Sequence, residues 1–422
     1  MLARAAVWGA ILLFALALCG EAYGQAGALD TTFGGDGRVQ TNFTTRVDYA
    51  SDVVVQPVDG KIVAAGVVSG ASGRFALVRY NTNGTLDTTF GGDGRVVTDF
   101  FSWSVDVAYD VVLQPGDGKI VAVGRAGGLG GTIALARYNP NGTLDTSFGG
   151  DGKVRTNFTG GDDFAFGSDI QADGKIVVAG RAAGLGGRIA VARYNPNGTL
   201  DTSFSADGKV VTNFTRGDDR ADLLAVQADG KVVAAGTAGY FGSNARFALV
   251  RYNPNGSLDT SFSGDGRVWT NFTTGFDGAF GVAVQAADGR IVAAGQAGLT
   301  LALARYNVNG TLDASFSGDG KVRTNFTPGL DYADDVEVQV DGKLVAAGGA
   351  NFFGRNSRFA LARYTANGTL DSSFGGDGKV TTDFTAGRDN AYGLANQPAD
   401  GKLVAAGFAA GGARFALARY LD

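Results

Sequence analysis

Residues 144–154 read Leu144-Asp145-Thr146-Ser147-Phe148-Gly149-Gly150-Asp151-Gly152-Lys153-Val154. The same pattern, Leu-Asp-x-x-Phe, two small residues, then Asp-Gly-Lys/Arg-Val, begins at Leu29, Leu86, Leu200, Leu258, Leu312 and Leu370, and Leu421-Asp422 opens an eighth copy. The full copies start 54–58 residues apart. A fixed period of that size marks a repeat architecture, in which each unit buries its hydrophobic faces against its neighbours, so the chain is not two or three ordinary domains.

Each unit holds four strand candidates. Gly37 to Phe43 alternates apolar and polar residues and ends on an aromatic, as a half-buried strand does. In the second stretch, Asp48, Asp106, Asp163, Asp219, Asp277, Asp331 and Asp389 each stand eight residues before a glutamine, Gln56 to Gln397, and two residues before an alanine, Ala50 to Ala391. Small residues at one fixed place point to crowding near an axis. The third stretch, Lys61 to Gly66, follows an Asp-Gly turn, and the fourth, Phe75 to Asn81, leads into Asn83-Gly84. Both dipeptides are hairpin signals, because glycine accepts positive φ. No segment keeps a helical apolar period for three turns.

Four short antiparallel strands repeated seven times predict an all-β fold, a seven-bladed β-propeller of four-stranded antiparallel blades. A parallel β-helix needs one coil of about 20–30 residues per repeat and lacks two internal hairpins. With the Asp-to-Gln stretch innermost, the chain starts on an outer strand, Leu29 to Phe43, and stops after a third one, Phe415 to Tyr420. The N-terminal strand is therefore expected to complete the blade that begins at Asp389, closing the ring and removing exposed edges. Residues 25–422 form one domain on this reading.

Composition narrows the function. The 422 residues are 45% hydrophobic and 18% charged, with 68 glycines and a formal charge of −5. Basic residues are spread through the repeats, so no nucleic-acid surface is expected. There is no histidine, which excludes Ser-His-Asp hydrolysis and His-ligated zinc or haem. Residues 1–24 read as a secretory signal peptide, with Arg4, an apolar run from Ala5 to Leu18, and Ala22-Tyr23-Gly24 before Gln25. A lipoprotein anchor on Cys19 is the alternative, disfavoured by the bulky Leu18. The expected product is an exported monomer, periplasmic, cell-surface or extracellular, with no membrane span and no disulfide in the mature chain.

Leu144 to Phe158, Gln171 to Gly180 and Ala190 to Gly198 closely resemble the delta-60 repeat, a β-propeller repeat of exported bacterial proteins, and the resemblance extends over residues 29–422. It implies fold and export. It carries no activity or catalytic residue to transfer. Propeller lyases that inactivate antibiotics, similar in fold, rely on a histidine that this sequence lacks.

Three sets of residues are candidates for chemistry. Asp36, Asp93, Asp151, Asp207, Asp265, Asp319 and Asp377, each six residues after a Leu-Asp aspartate, suit a hard cation such as calcium, or else fix turns through Asx-type bonds. The Asp48 series either rings one mouth of the channel or bonds backbone, and Arg79 and its six counterparts are expected to pair with an Asp between blades. What differs between units is the third set. Trp103, Tyr109, Phe166, Phe280 and Tyr392 lie on or beside inner strands, and Tyr240, Phe241, Phe352 and Phe353 lie in the connection that varies between the third and fourth stretches. These aromatics either bind a partner or cap the blades. The leading expectation is a noncatalytic scaffold that binds a protein or polysaccharide through the variable loop face, without a cofactor. The alternatives are a carboxylate-dependent lyase or glycoside hydrolase at the channel mouth, or a calcium-stabilised adhesion module.

Overall fold

The buried, near-continuous apolar runs of this sequence, such as Ile62-Val63-Ala64-Ala65-Gly66-Val67-Val68, pack on both faces, and the architecture follows from that requirement. The computed structural model describes residues 24–69, 73–102, 104–183, 186–242, 244–410 and 414–422. Residues 1–23 of the expected signal segment, Cys19 among them, lie outside the described residues, as does Trp103. Seven four-stranded antiparallel sheets form a seven-bladed propeller, with no helix among the described residues and hence none that could cross a membrane.

In the first blade the strands run Asp48–Val55, Ile62–Ser69, Gly73–Tyr80 and Arg95–Thr98. The first of these touches its equivalents in both neighbouring blades, Val107–Leu113 and Asn390–Asn396, which places it at the axis. The last blade takes three strands, Asn390–Asn396, Leu403–Ala409 and Arg414–Tyr420, from the C-terminal end and its outer strand, Arg38–Thr41, from the N-terminal end. Arg38 pairs with Ala418 and Thr41 with Phe415, so the ring closes by backbone hydrogen bonds as the sequence predicts. The outer strand is shorter than the Gly37 to Phe43 expected for it. The Asp48 carboxylate accepts the amides of Phe43 at 3.0 Å and Thr44 at 2.7 Å, which turns the chain out of the ladder before the aromatic.

The core lies between blades. Val63, Ala65, Phe75 and Leu77 of the first blade pack with Val111, Ile120, Ala122 and Tyr138 of the second, and the same interleaving recurs around the ring. Two polar devices cross each such layer. The first explains Leu-Asp-x-x-Phe: buried Arg79 donates through Nε to Asp87 at 2.7 Å, its guanidinium lies 4.7 Å over the Phe90 ring, and it reaches the Pro140 carbonyl of the next blade. The second is the Tyr80 hydroxyl, which donates at 2.7 Å to Thr41 on the outer strand of the preceding blade. Both recur in every unit, including Arg137–Asp145, Arg193–Asp201, Arg251–Asp259, Arg305–Asp313 and Arg363–Asp371. In the sixth blade Asp422 takes the place of the turn carbonyl, accepting from Arg363 at 2.6 Å.

The seam uses the same parts. Arg419 binds Asp30 at 2.8 Å, lies 4.8 Å over Phe33 and donates to the Thr82 carbonyl, although these partners come from opposite ends of the chain. Removing one partner of a buried ion pair costs about 3–5 kcal/mol, because the other is left unpaired. Arg419→Ala at the seam and Arg251→Ala within the ring should therefore lower unfolding free energy by similar amounts in that range, and deletion of residues 25–43 should lower it further. A denaturation midpoint that the seam variants leave unmoved would contradict the closure.

Candidate functional site

Every inner strand makes one β-bulge directly after its repeated alanine. The unpaired residues are Ser51, Tyr109, Phe166, Asp222, Phe280, Asp334 and Tyr392. Bulges re-aim side chains, and here they also dictate the residue opposite. A Cβ on Gly66 would stand 2.0 Å from the Tyr49 carbonyl oxygen, and the equivalent glycines from Gly124 to Gly407 are as tightly placed, so the Gly that ends each Val-Ala-Ala-Gly run is a steric necessity. All seven bulge residues are half-buried, and all seven line one cavity of about 450 Å³ at the loop-bearing end of the channel.

Half of the residues that line it are aromatic. Phe241, Tyr240, Phe276, Phe280, Tyr332, Phe352 and Phe353 touch in series, with ring centroids 4.9–6.5 Å apart. Tyr109 meets Phe166 at 5.0 Å and Tyr49 meets Tyr392 at 6.1 Å on the other side. The variable loops are held to this rim by backbone bonds, from the Tyr240 amide to the Asp218 carbonyl at 2.6 Å and from the Phe352 amide to the Leu330 carbonyl at 2.8 Å. Tyr240, Phe352 and Phe353 line the cavity, whereas Phe241 sits at the outer end of the stack, 77% exposed. Arg220 enters the ring system, with its guanidinium 3.8 Å over Tyr240 and within 5.9 Å of the Phe166 and Phe280 centroids.

Carboxyls supply the polar part. Burial pushes Asp222 up to about 6 although Arg220 pairs with it at 2.9 Å. Burial raises Asp334 well above the carboxylate range, a bond from Asn390 opposes the rise, and the charges of Asp222 and Asp335 add to it. Asp52, Asp169 and Asp335 reach across to the next blade and accept the amides of Val111, Val226 and Leu394 at 2.8–3.0 Å. Those three tie inner strands together, and burial holds Asp169 and Asp335 at about 6.

The two other acidic series are turned to architecture. Asp48 accepts the Phe43, Thr44 and Ser69 amides, and its counterparts likewise accept backbone amides, Asp106 those of Phe100 and Gly127, so they do not ring the channel mouth as a charged crown. Asp36 accepts the amide of Arg38 at 2.9 Å and pairs with its side chain, and Asp93, Asp151, Asp207, Asp265, Asp319 and Asp377 accept from the Arg or Lys two residues on in the same way. These seven stay apart, one to a blade, while the Leu-Asp carboxylates near them are committed to the buried arginines. No cluster of three or more metal-ligating side chains occurs among the described residues.

Tyr49, Arg220, Asp222, Phe276, Tyr332 and Asp334 were not legible as site residues. Their signal was present as variation: the third residue after the constant Asp is Ser, Tyr, Phe, Asp, Phe, Asp and Tyr in successive units, directly after an alanine that never changes.

The two acidic populations act on stability in opposite directions. Asp169, Asp222 and Asp335 titrate at about 6 in the fold against an ordinary 3.8, so the folded state binds more protons between those values and stability falls as pH rises through that window. Asp145 and Asp201 are held at about 2, despite burial, by Ser147 and Ser203 and the neighbouring cations; their contribution is present above 3.8 and is lost as pH falls through the folded value. The melting temperature should peak at pH about 4–5, and Asp222→Asn should flatten the decline on the neutral side. A maximum at neutral pH or above would contradict these assignments.

Residues 59–90, 116–148, 171–204, 227–262, 286–316 and 339–374 match the family described as a domain of unknown function, DUF5122, with a beta-propeller. No curated protein matches the sequence. Among solved structures, a streptogramin B lyase is 10% identical, with 91% of this chain and 97% of that one covered and a TM-score of 0.54. Sqt1 from Chaetomium thermophilum is 8% identical, with 94% and 98% covered and a TM-score of 0.51. At such identities the likeness is one of fold. The chain is a β-propeller repeat protein, six of whose segments match the DUF5122 family.

Proposed function

We propose that this protein is an exported, monomeric and noncatalytic propeller that binds a polysaccharide at the aromatic channel mouth. The observation that carries the reading is convergence. Aromatics from two variable loops, Tyr240 with Phe352 and Phe353, meet aromatics on the bulges of inner strands, Tyr109, Phe166, Phe280 and Tyr392, around a single cavity. Flat rings give stacking faces for sugar rings, and carboxyl oxygens between them accept hydroxyl protons. Export rests on the N-terminal signal pattern and on the resemblance of the repeats to the delta-60 repeat.

One observation favours a second reading. Asp222, beside Arg220, and Asp334, beside Asn390, are two carboxyls of unlike environment on the same cavity, the arrangement that carboxylate-dependent glycoside cleavage uses. Titration calorimetry of the full chain with short oligosaccharides, neutral, acidic and amine-bearing, separates the two. We expect binding without product formation, and a loss of about tenfold or more in affinity for Tyr240→Ala combined with Phe352→Ala at an unchanged melting temperature. Turnover abolished by Asp334→Asn would establish the enzyme instead, and aromatic variants that bind like the wild type would remove the site.

A further inference from the structure

We infer that the channel mouth selects an amine-bearing polysaccharide, taking a protonated amino group of the sugar between the aromatic wall and Asp334. The inference rests on the polysaccharide reading above and adds the charge of the ligand. Its first support is the position of Arg220. A guanidinium stands 3.8 Å over the Tyr240 ring and within 5.9 Å of the Phe166 and Phe280 centroids, so the wall presents ring faces, the negative side of the aromatic quadrupole, to the cavity. The protein thus already places a cation of its own in the box.

Charge balance is the second support. Asp52, Asp110, Asp222, Asp334 and Asp335 line the cavity, and Arg220 is the sole basic side chain among the described lining residues. Four of the five carboxyls have strong partners elsewhere: Asp222 has Arg220, Asp52 and Asp335 have amides of the next blade, and Asp110 has the Ser168 hydroxyl at 2.5 Å. Asp334 differs. It projects from a bulge, its amide partner Asn390 is 3.5 Å away, and the side chains bonding it, from Asn390 and Tyr332, are neutral. The Ser51 hydroxyl lines the same cavity with no hydrogen-bond partner among the described residues. A buried carboxylate needs a cationic partner to stay ionised, and an ammonium that donates to Asp334 while lying against Tyr332, Tyr392 and Phe280 supplies both the charge and the protons.

The cavity favours a sugar over a lysine-rich peptide as the carrier of that amine. Tyr49, Tyr392, Phe280 and Tyr332 line it together with Tyr109 and Phe166, and so broad a ring surface suits a flat sugar ring better than a flexible alkyl stem.

Glucosamine oligomers and their N-acetylated counterparts have the same backbone and differ in charge, so they test the inference directly. Titrated into the full chain, the glucosamine oligomer should bind at least about tenfold more tightly. Asp334→Asn, which keeps shape, should remove that preference without lowering the melting temperature, and Phe280→Leu, which keeps apolar bulk but removes the ring face, should weaken the glucosamine oligomer more than the acetylated one. Equal or tighter binding of the acetylated oligomer overturns the charge assignment while the polysaccharide reading stands. Failure of both sugars to bind overturns both readings, and tighter binding of oligolysine than of oligoglucosamine overturns the sugar as the source of the amine.

Discussion

The buried arginine of each unit is the constraint from which the ring follows. A guanidinium held within the protein, as at Arg251 with 1% exposure, is costly unless its charge and its donors are all answered. Four groups answer it: the Asp, the Ser and the Phe ring of the Leu-Asp-x-x-Phe segment that comes next in the chain, and a turn carbonyl of the following blade. The last of these can be met only if the next blade is in place. Stability is therefore shared between neighbours, and a ring of such units has no end at which an arginine is left unanswered, since Asp30, Phe33 and Thr82 serve Arg419 at the seam.

This dependence explains why the fold is so legible in the sequence. Asp87, Phe90, Arg79, Tyr80 and Thr41 recur because each has a partner in another unit, and a residue with a fixed partner repeats at a fixed spacing. The turn glycines and the Asp48 carboxylates recur for local reasons of the same kind, positive φ at Gly84 and three backbone amides at Asp48. The candidate site was legible only in part. Tyr240, Phe352 and Phe353 stood out because their loops vary in length, whereas Asp222, Asp334 and Arg220 look like ordinary strand residues. Their meaning depends on the bulge, which one-residue irregularity in register creates and alternation of apolar residues does not reveal.

The bulge also accounts for how one scaffold carries a specific site. It releases one residue per blade from the ladder and turns it to the axis, where it has no fixed partner in the neighbouring unit. Seven positions are thereby free to differ, and in this chain they supply four aromatic rings, two carboxyls and one hydroxyl to a common cavity. The glycine facing each bulge is then the part that cannot vary, because its Cβ would collide with the inner-strand carbonyl. Architecture and recognition are carried by different positions of the same strand.

That separation can be tested in a single variant that gives every unit the serine of the first: Tyr109→Ser, Phe166→Ser, Asp222→Ser, Phe280→Ser, Asp334→Ser and Tyr392→Ser together. Thermal melting and titration with glucosamine oligomer, measured on the same preparation, read the two roles independently. The account predicts a cooperative melt close to that of the wild type and no detectable binding. A variant that fails to fold, or one that binds as the wild type does, would contradict it.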